Sequence, residues 1–157
     1  MTAEDPEAAL ARYSEALAGG VEATISTWVV GCVARVMTAF AGGVPADAAV
    51  AAEEAGARAA AEVGPAVRSL LESDIDEQKT TPLALLRIAA RYPTEVLRAA
   101  GVPPVERDSF SEAAFPEDVY DLAPASFADL DPALGEVAIR WGAAKAFEHK
   151  RRHRPDR

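Results

Sequence analysis

The sequence has little cysteine and histidine, the residue types on which many catalytic and metal sites depend. Cys32 is the single cysteine, so no disulfide can form within the chain. The two histidines, His149 and His153, both lie in the last nine residues, where little chain follows to hold an imidazole in place. These absences argue against a Cys–His or a Ser–His–Asp nucleophile.

Motifs of metal, phosphate and calcium binding are also missing. The two histidines share a helical face, but the basic residues 150–152 between them would repel a cation. No glycine-rich phosphate loop and no calcium-binding loop occurs, and neither histidine has a glutamate three residues before it. The acidic groups at 74–77 and 117–121 are interpreted as solvated faces. We therefore expect no catalytic residue, no metal and no cofactor.

Positive charge is scarce outside the C-terminus. The net charge of the chain is −9, and the stretch from Lys145 to the end carries six basic residues against two acids. The rest of the chain is therefore strongly acidic, which disfavours broad contact with nucleic acid or an anionic membrane. We interpret residues 153–157 as a disordered basic tail that keeps a frayed helix end in solvent.

Long apolar runs are absent as well. The longest uncharged run near the N-terminus lies between Glu22 and Arg35, which is shorter than the roughly 20 residues that span a bilayer. The first residues are acidic and amphipathic, unlike a signal peptide. We expect a cytoplasmic protein without membrane contact.

What the sequence has in abundance is alanine, with few aromatic residues, and this composition favours helix. No strand pattern is present. Helix starts are predicted where an N-capping residue precedes proline, at Asp5-Pro6, Thr81-Pro82 and Asp131-Pro132. The sequence predicts one all-α domain over residues 1–152, a bundle of five to seven helices.

Glycine and proline predict where these helices stop. Gly19-Gly20 should end or bend the first helix, before an apolar central helix over 21–41 that Gly42-Gly43 should stop. Gly64-Pro65 should kink or break an alanine-rich helix, and Pro93 should end or kink helix 82–91 at Tyr92. A short helix over 93–100 should then finish at a left-handed Gly101. In the last helix we expect these residues to face inwards: Leu134, Val137, Ala138, Trp141, Ala144 and Phe147.

Residues 102–131 carry eight acids, one arginine and four prolines, interspersed with large apolar side chains. A disordered acidic linker would not usually contain so many apolar groups. We predict an ordered, proline-punctuated acidic arm with one short helix near 116–121, packed on the helical body. Charge-assisted contacts from Arg87, Arg91 and Arg98 could help to hold it.

The half from Thr80 to Ala146 resembles a family of uncharacterised conserved actinobacterial proteins. The stretches that carry the resemblance are TTPLALLR, RYPTEVLRAAGVPPVERD, FPEDVYDLAPASFADLDPALGE and WGAAKA. The Ala-, Arg- and Gly-rich composition of the chain suits a high-GC bacterial source. The resemblance attaches no activity, cofactor, partner or site residue to the chain.

The leading functional hypothesis is a non-enzymatic helical interaction protein, regulatory or adaptor-like, whose surface over 82–127 meets a protein partner or a second copy. The candidate surface residues are Arg87, Arg91, Tyr92, Arg98, Phe110, Phe115 and Tyr120. Self-association through the apolar helix 21–41 is a further expectation. The alternative is a ligand-binding or enzymatic helical domain with a pocket between helix 21–41 and the C-terminal helix. Its lining would be Trp28, Cys32, Arg35, Arg140 and Trp141.

Overall fold

The protein is all-α, as its composition predicts. The computed structural model describes residues 5–73 and 81–153, and no β-strand occurs in these two ranges. The helices are α1 (Pro6–Ala41), α2 (Ala46–Glu72), α3 (Pro82–Arg87), α4 (Arg91–Ala99), α5 (Ser109–Ala114) and α6 (Pro132–His153), with 3₁₀ turns at Ile88–Ala90 and Phe127–Asp129. The acidic stretch 74–77 and residues 154–157 of the predicted tail lie outside the described residues.

Capping chemistry sets the helix ends where the sequence predicts them. Pro6, Pro82 and Pro132 each open a helix. The Thr81 hydroxyl accepts a hydrogen bond from the Ala84 amide at 3.1 Å, which satisfies one unpaired donor of the first turn. Gly42 closes α1 and Gly101 follows α4, with left-handed φ values of 79° and 80°. These predicted starts and stops are confirmed.

The prediction that Gly19-Gly20 ends the first helix is wrong, because α1 continues through both residues. Gly20 serves helix packing instead of termination. A Cβ at this position would lie 2.2 Å from Leu134 Cδ2, so only glycine lets the leucine of α6 pack against this turn. The burial of Leu134 at this contact offsets the weak helix propensity of glycine.

Gly64-Pro65 does not break α2 either, which runs unbroken from Ala46 to Glu72. Gly64 lies against α1, where an added Cβ would approach Glu22 Cγ to 3.0 Å, while Pro65 is exposed. Gly56 allows an even closer approach, since its Cβ would lie 2.9 Å from the carbonyl oxygen of Ser26. The small residues of α2 therefore allow its backbone to lie close to α1.

The core lies mainly along α1, and its large buried side chains are Leu17, Val21, Ile25, Trp28, Val29, Val33 and Met37. By length and composition alone α1 could cross a membrane, with a mean hydropathy of 1.4 over its most apolar window. The core helix of a globular protein gives the same signal. Here α1 packs against α2, α4 and α6.

The C-terminal helix α6 runs antiparallel along the first half of α1. Three contacts define this alignment: Leu134 with Gly20, Trp141 with Ser14, and Arg151 with Glu7. The Trp141 indole N–H donates to the Ser14 hydroxyl at 3.1 Å, and an Arg151 Nη lies 3.3 Å from the Glu7 carboxylate. The start of α1 and the end of α6 therefore lie side by side.

The inward face of α6 differs from the prediction at its C-terminal end. Phe147 is 57 % exposed, whereas Lys145 and Glu148 are buried. The Lys145 ammonium donates to the carbonyl of Ser73 at 2.9 Å, and Arg151 pairs with Glu148. The prediction placed only apolar residues on the buried face of α6. In the structure the last turns of that face carry Lys145 and Glu148, whose charges are satisfied by the contacts with Ser73 and Arg151.

The distortion caused by Pro93 lies one turn earlier than predicted. The 3₁₀ turn Ile88–Ala90 separates α3 from α4, and Tyr92 is already inside α4. A proline ring crowds the carbonyl four residues before it, which is that of Ala89, so the tightening falls in the preceding turn. The helix therefore changes its winding at 88–90 and continues.

In residues 102–131, the short helix lies at Ser109–Ala114, and the prediction of a helix near 116–121 is wrong. Asp108 caps α5 by accepting from the Ser111 amide at 2.7 Å. The Asp118 carboxylate accepts from the amides of Leu122 and Ala123, and Asp121 has a left-handed φ of 55°. Side-chain bonds of this kind compete with helix, which explains the irregular path.

Candidate functional site

A cleft lies between the α3–α4 junction and residues 115–123. Its volume is about 590 Å³, within the usual range of about 300–1,000 Å³ for ligand sites. It is lined by Thr81, Leu83, Ala84, Arg87, Ile88, Ala90, Arg91, Phe115, Pro116, Glu117, Asp118 and Ala123. Most of these side chains are apolar, and the charged ones are two arginines and two acids.

One wall of the cleft is a helical face that crosses the 3₁₀ turn. Ala84, Arg87, Ile88 and Arg91 follow the spacing i, i+3, i+4 and i+7, which places four side chains on one side of a helix. The tightened turn at 88–90 lies within this wall. The opposite side of the helix pair carries Leu86 and Leu97, which are buried in the core and fix the wall in place.

The facing wall is the irregular segment after α5. Arg107 anchors it by donating from Nη1 to the carbonyl oxygen of Phe115 at 2.6 Å. The Phe115 ring then lies under the guanidinium of Arg87, with 4.0 Å between the Arg87 Cζ and the ring centroid. This cation–π contact joins the two walls.

The expectation that acids of the arm pair with the three arginines is wrong for the part of the chain that is described. No ion pair forms between described residues at Arg87, Arg91 or Arg98. The Nε–H of Arg87 is buried and has no hydrogen-bond partner among the described residues. A buried donor without an acceptor is costly. The Nη–H groups of Arg87 are not buried in this way, so they are the donors that an acceptor from outside the chain can reach.

The two acids of the lining differ in their availability. Asp118 Oδ1 accepts from the Leu122 amide at 2.7 Å, and its Oδ2 accepts from the Ala123 amide at 3.0 Å. Asp118 therefore shapes the wall and is engaged with the backbone. Glu117 is exposed to solvent. The cleft thus presents two arginines without an ion pair among the described residues and one solvated carboxylate, that of Glu117, over an apolar surface.

The predicted surface residues separate into three groups: those that line the cleft, those that are exposed outside it, and two buried tyrosines. Arg87, Arg91 and Phe115 line the cleft together. Arg98 and Phe110 are exposed but lie outside the lining.

Tyr92 and Tyr120, the third group, are buried and make their hydrogen bonds within the chain. The Tyr92 hydroxyl donates to the Glu62 carboxylate on α2, and burial together with this bond raises the pKa of Tyr92 to about 12. The Tyr120 hydroxyl donates to the Val102 carbonyl at 2.6 Å, and burial raises its pKa as well. Both tyrosines therefore hold the fold.

The alternative pocket residues on α1 lie in or beside the core. Trp28 and Cys32 are buried, and burial raises the pKa of the Cys32 thiol to about 11. The exposed Arg35 donates from Nη2 to Cys32 Sγ at 3.4 Å, which opposes this shift only in part. A thiol with a raised pKa is a poor nucleophile at neutral pH.

The alternative pocket residues on α6 lie elsewhere. Trp141 bonds to Ser14, which precedes Cys32 by five helical turns, or about 27 Å at 1.5 Å per residue. Arg140 is exposed and pairs with Glu136 at 2.7 Å. The structure does not bring these two residues together with Trp28, Cys32 and Arg35, because α6 packs on residues 7–20 of α1 instead of 21–41.

Sequence reasoning missed most of the apolar lining of the cleft. The i, i+3, i+4, i+7 spacing of residues 84–91 was a usable signal for Ile88. Nothing in the sequence links this face to Pro116 and Ala123, since that requires the path of residues 102–131. No group of three or more His, Cys, Asp or Glu side chains lies close enough to hold a metal ion in the ranges that the structure describes.

Comparisons with protein-family models, with curated proteins and with solved structures give no match to this chain. The resemblance to actinobacterial proteins gains no support from them. The functional argument therefore rests on the geometry of the cleft.

Proposed function

We propose that the chain is a non-enzymatic, regulatory or adaptor-like interaction protein of the cytoplasm, and that it receives a segment of a protein partner in the cleft. The observation that carries the proposal is the pair Arg87 and Arg91, unpaired among the described residues at the edge of a largely apolar cavity. Arginine and aromatic residues are enriched among the side chains that dominate the energetics of many interfaces.

Residues 102–131 act in this proposal as an acidic arm that forms the second wall. Tyr120, Phe127 and the backbone bond from the Val105 amide to the Val119 carbonyl at 3.0 Å support a docked arm. A wall fixed in this way is largely preformed, which reduces the entropy lost on binding.

A binding role is favoured over catalysis by the chemistry of the lining. Proton transfer needs an acid or base that is free to exchange a proton with the substrate. Asp118 is engaged by two backbone amides, and Glu117 is solvated. The lining contains no cysteine, serine or histidine, and its single hydroxyl, that of Thr81, caps α3.

Site-specific photo-crosslinking in cells of the source organism tests this proposal. A photo-reactive phenylalanine analogue replaces Ile88, which lines the cleft and is 47 % exposed. The matched control replaces Val50 on α2, which is 57 % exposed and is not part of the lining. We expect a discrete adduct of higher mass from position 88 alone. Equal adducts at both positions, or none at 88, would contradict a partner in the cleft.

Self-association is a second proposal, and the exposed face of α6 favours it over helix 21–41. The large side chains of helix 21–41 are mostly buried within the chain. On α6, Ile139, Ala143 and Phe147 are exposed at the spacing i, i+4 and i+8, which forms one apolar stripe.

Light scattering on the eluting protein separates a dimer from the 16.5 kDa single chain. We expect a dimer mass that falls to one chain in Ile139→Glu and Phe147→Glu, with Val50→Glu as the control. A mass of one chain for the unaltered protein would exclude the dimer.

A further inference from the structure

We infer that the partner segment presents an aspartate or glutamate beside a large apolar side chain, with the carboxylate on Arg87 and Arg91 and the apolar group in the cleft. This inference rests on the proposed function and specifies the chemistry of the partner. Its two requirements, an anion and an apolar neighbour, come from different residues of the lining.

The requirement for an anion comes from the arginines. Arg87 stacks on Phe115 and keeps its buried Nε–H without an acceptor among the described residues. A guanidinium presents parallel N–H groups whose spacing matches the two oxygens of a carboxylate. Arg91 lies one helical turn further along the same wall and adds a second positive charge. A carboxylate bound in the cleft would therefore meet the Nη–H groups of Arg87, which are not buried and form no ion pair among the described residues.

The acids of the lining leave this position open. Asp118 is occupied by the amides of Leu122 and Ala123, and the exposed Glu117 forms no ion pair with either arginine. Because neither acid forms an ion pair with the guanidinium groups, an external carboxylate does not have to displace one. The net charge of the whole chain is negative, so the attraction must be local to the cleft.

The requirement for an apolar neighbour comes from Leu83, Ile88 and Phe115, which line the same cavity. A protein segment fits better than a small free acid, because exposed apolar side chains also occur on the stretch that leads into the second wall of the cleft. Phe110 on α5, five residues before Phe115, is 76 % exposed, and Val105 is also exposed. A small acid would cover the cleft alone, whereas an extended segment would also cover this adjoining surface.

Selection from a displayed library of random peptides, with the full chain as bait, tests the inference without a known partner. We expect the recovered sequences to be enriched in Asp or Glu next to Leu, Ile, Phe or Trp, relative to the unselected library. Enrichment of basic sequences, or no enrichment at all, would overturn it.

An enriched peptide is then measured by calorimetry against its own Glu→Gln form. Loss of a charge-assisted contact should weaken binding about tenfold or more. Arg87→Gln and Arg91→Gln should weaken the acidic peptide to a similar extent. Arg98→Gln is the matched control, because Arg98 also forms no ion pair among the described residues but lies outside the cleft. The affinity of this variant for the acidic peptide should equal that of the unaltered protein. Equal affinities for all three variants would refute the assignment.

Arg91 is exposed, so Arg91→Gln keeps the test valid even if Arg87→Gln unfolds. The small acid 4-phenylbutyrate is measured in parallel, and binding as tight as that of the peptide would overturn the choice of a protein segment. An adduct at position 88 combined with equal binding of acidic and amide peptides would refute this inference and leave the proposed function standing. Selective binding of acidic peptides without an adduct at position 88 in cells would support the carboxylate preference of the cleft and contradict the proposed function.

Discussion

Replacement of Gly56 by alanine tests whether backbone proximity between α1 and α2 holds the core together. An alanine Cβ at this position would lie 2.8 Å from the Ser26 hydroxyl and 2.9 Å from the Ser26 carbonyl oxygen. The hydroxyl can rotate away, but the carbonyl belongs to the backbone of α1. The two helices would therefore have to separate by a few tenths of an ångström.

Two opposing effects set the magnitude. Alanine in a helix interior is more stable than glycine by about 1 kcal/mol. Overpacking of a close contact costs about 1–3 kcal/mol. We expect Gly56→Ala to lower the free energy of unfolding by about 1 kcal/mol. Gly142 of α6 is the control, since nothing lies within 4 Å of its added Cβ, and Gly142→Ala should gain about 1 kcal/mol.

The assay is urea unfolding followed by far-ultraviolet circular dichroism, with the midpoint and slope compared across the three proteins. The expected difference between the two variants, about 2 kcal/mol, corresponds to about 4–8 °C in melting temperature for a chain of this size. If Gly56→Ala stabilises the protein as much as Gly142→Ala does, the close contact between α1 and α2 does not exist and the reasoning fails.

Two further predictions concern Tyr92 and the docking of residues 102–131. Burial raises the pKa of Tyr92 to about 12, so folding favours its neutral form. Its contribution to the free energy of unfolding should be fully present below about pH 10 and should be lost as the pH rises through about 12. Tyr92→Phe should lose less stability over that window in urea titrations at each pH, and equal losses would contradict the assignment. Phe127→Ala should cost about 3 kcal/mol or more, because Phe127 is only 7 % exposed, whereas Phe110→Ala should change stability by less than about 0.5 kcal/mol. Equal effects in thermal melts would show that residues 102–131 are not docked as described.

Local chemistry made much of the helix framework predictable. Starts at Thr81-Pro82 and Asp131-Pro132 and stops at Gly42 and Gly101 depend on neighbouring residues, and all were read correctly. The wrong interruption at Gly19-Gly20 has a different cause. Whether glycine stops a helix or admits a neighbour depends on Leu134, which is more than a hundred residues away in the chain.

The candidate site was predictable on one side only. The face that carries Arg87 and Arg91 follows from helical spacing, and Phe115 was also named in advance. Arg87 was expected to pair with acids of the arm, but its guanidinium contacts the Phe115 ring instead. The path of residues 115–123 depends on Asp118 and its two backbone bonds, which no periodicity in the sequence reveals.

The pairing of Arg151 with Glu7 has a practical consequence for protein engineering. Since the side chains of Glu7 and Arg151 form an ion pair at 3.3 Å, the start of α1 and the end of α6 lie side by side, and the domain is suited to insertion as a guest into a surface loop of a host protein. Short connectors would suffice, and unfolding of the guest would force the two host ends apart. A fluorescent or enzymatic host carrying this insert would then report the stability of the bundle inside living cells.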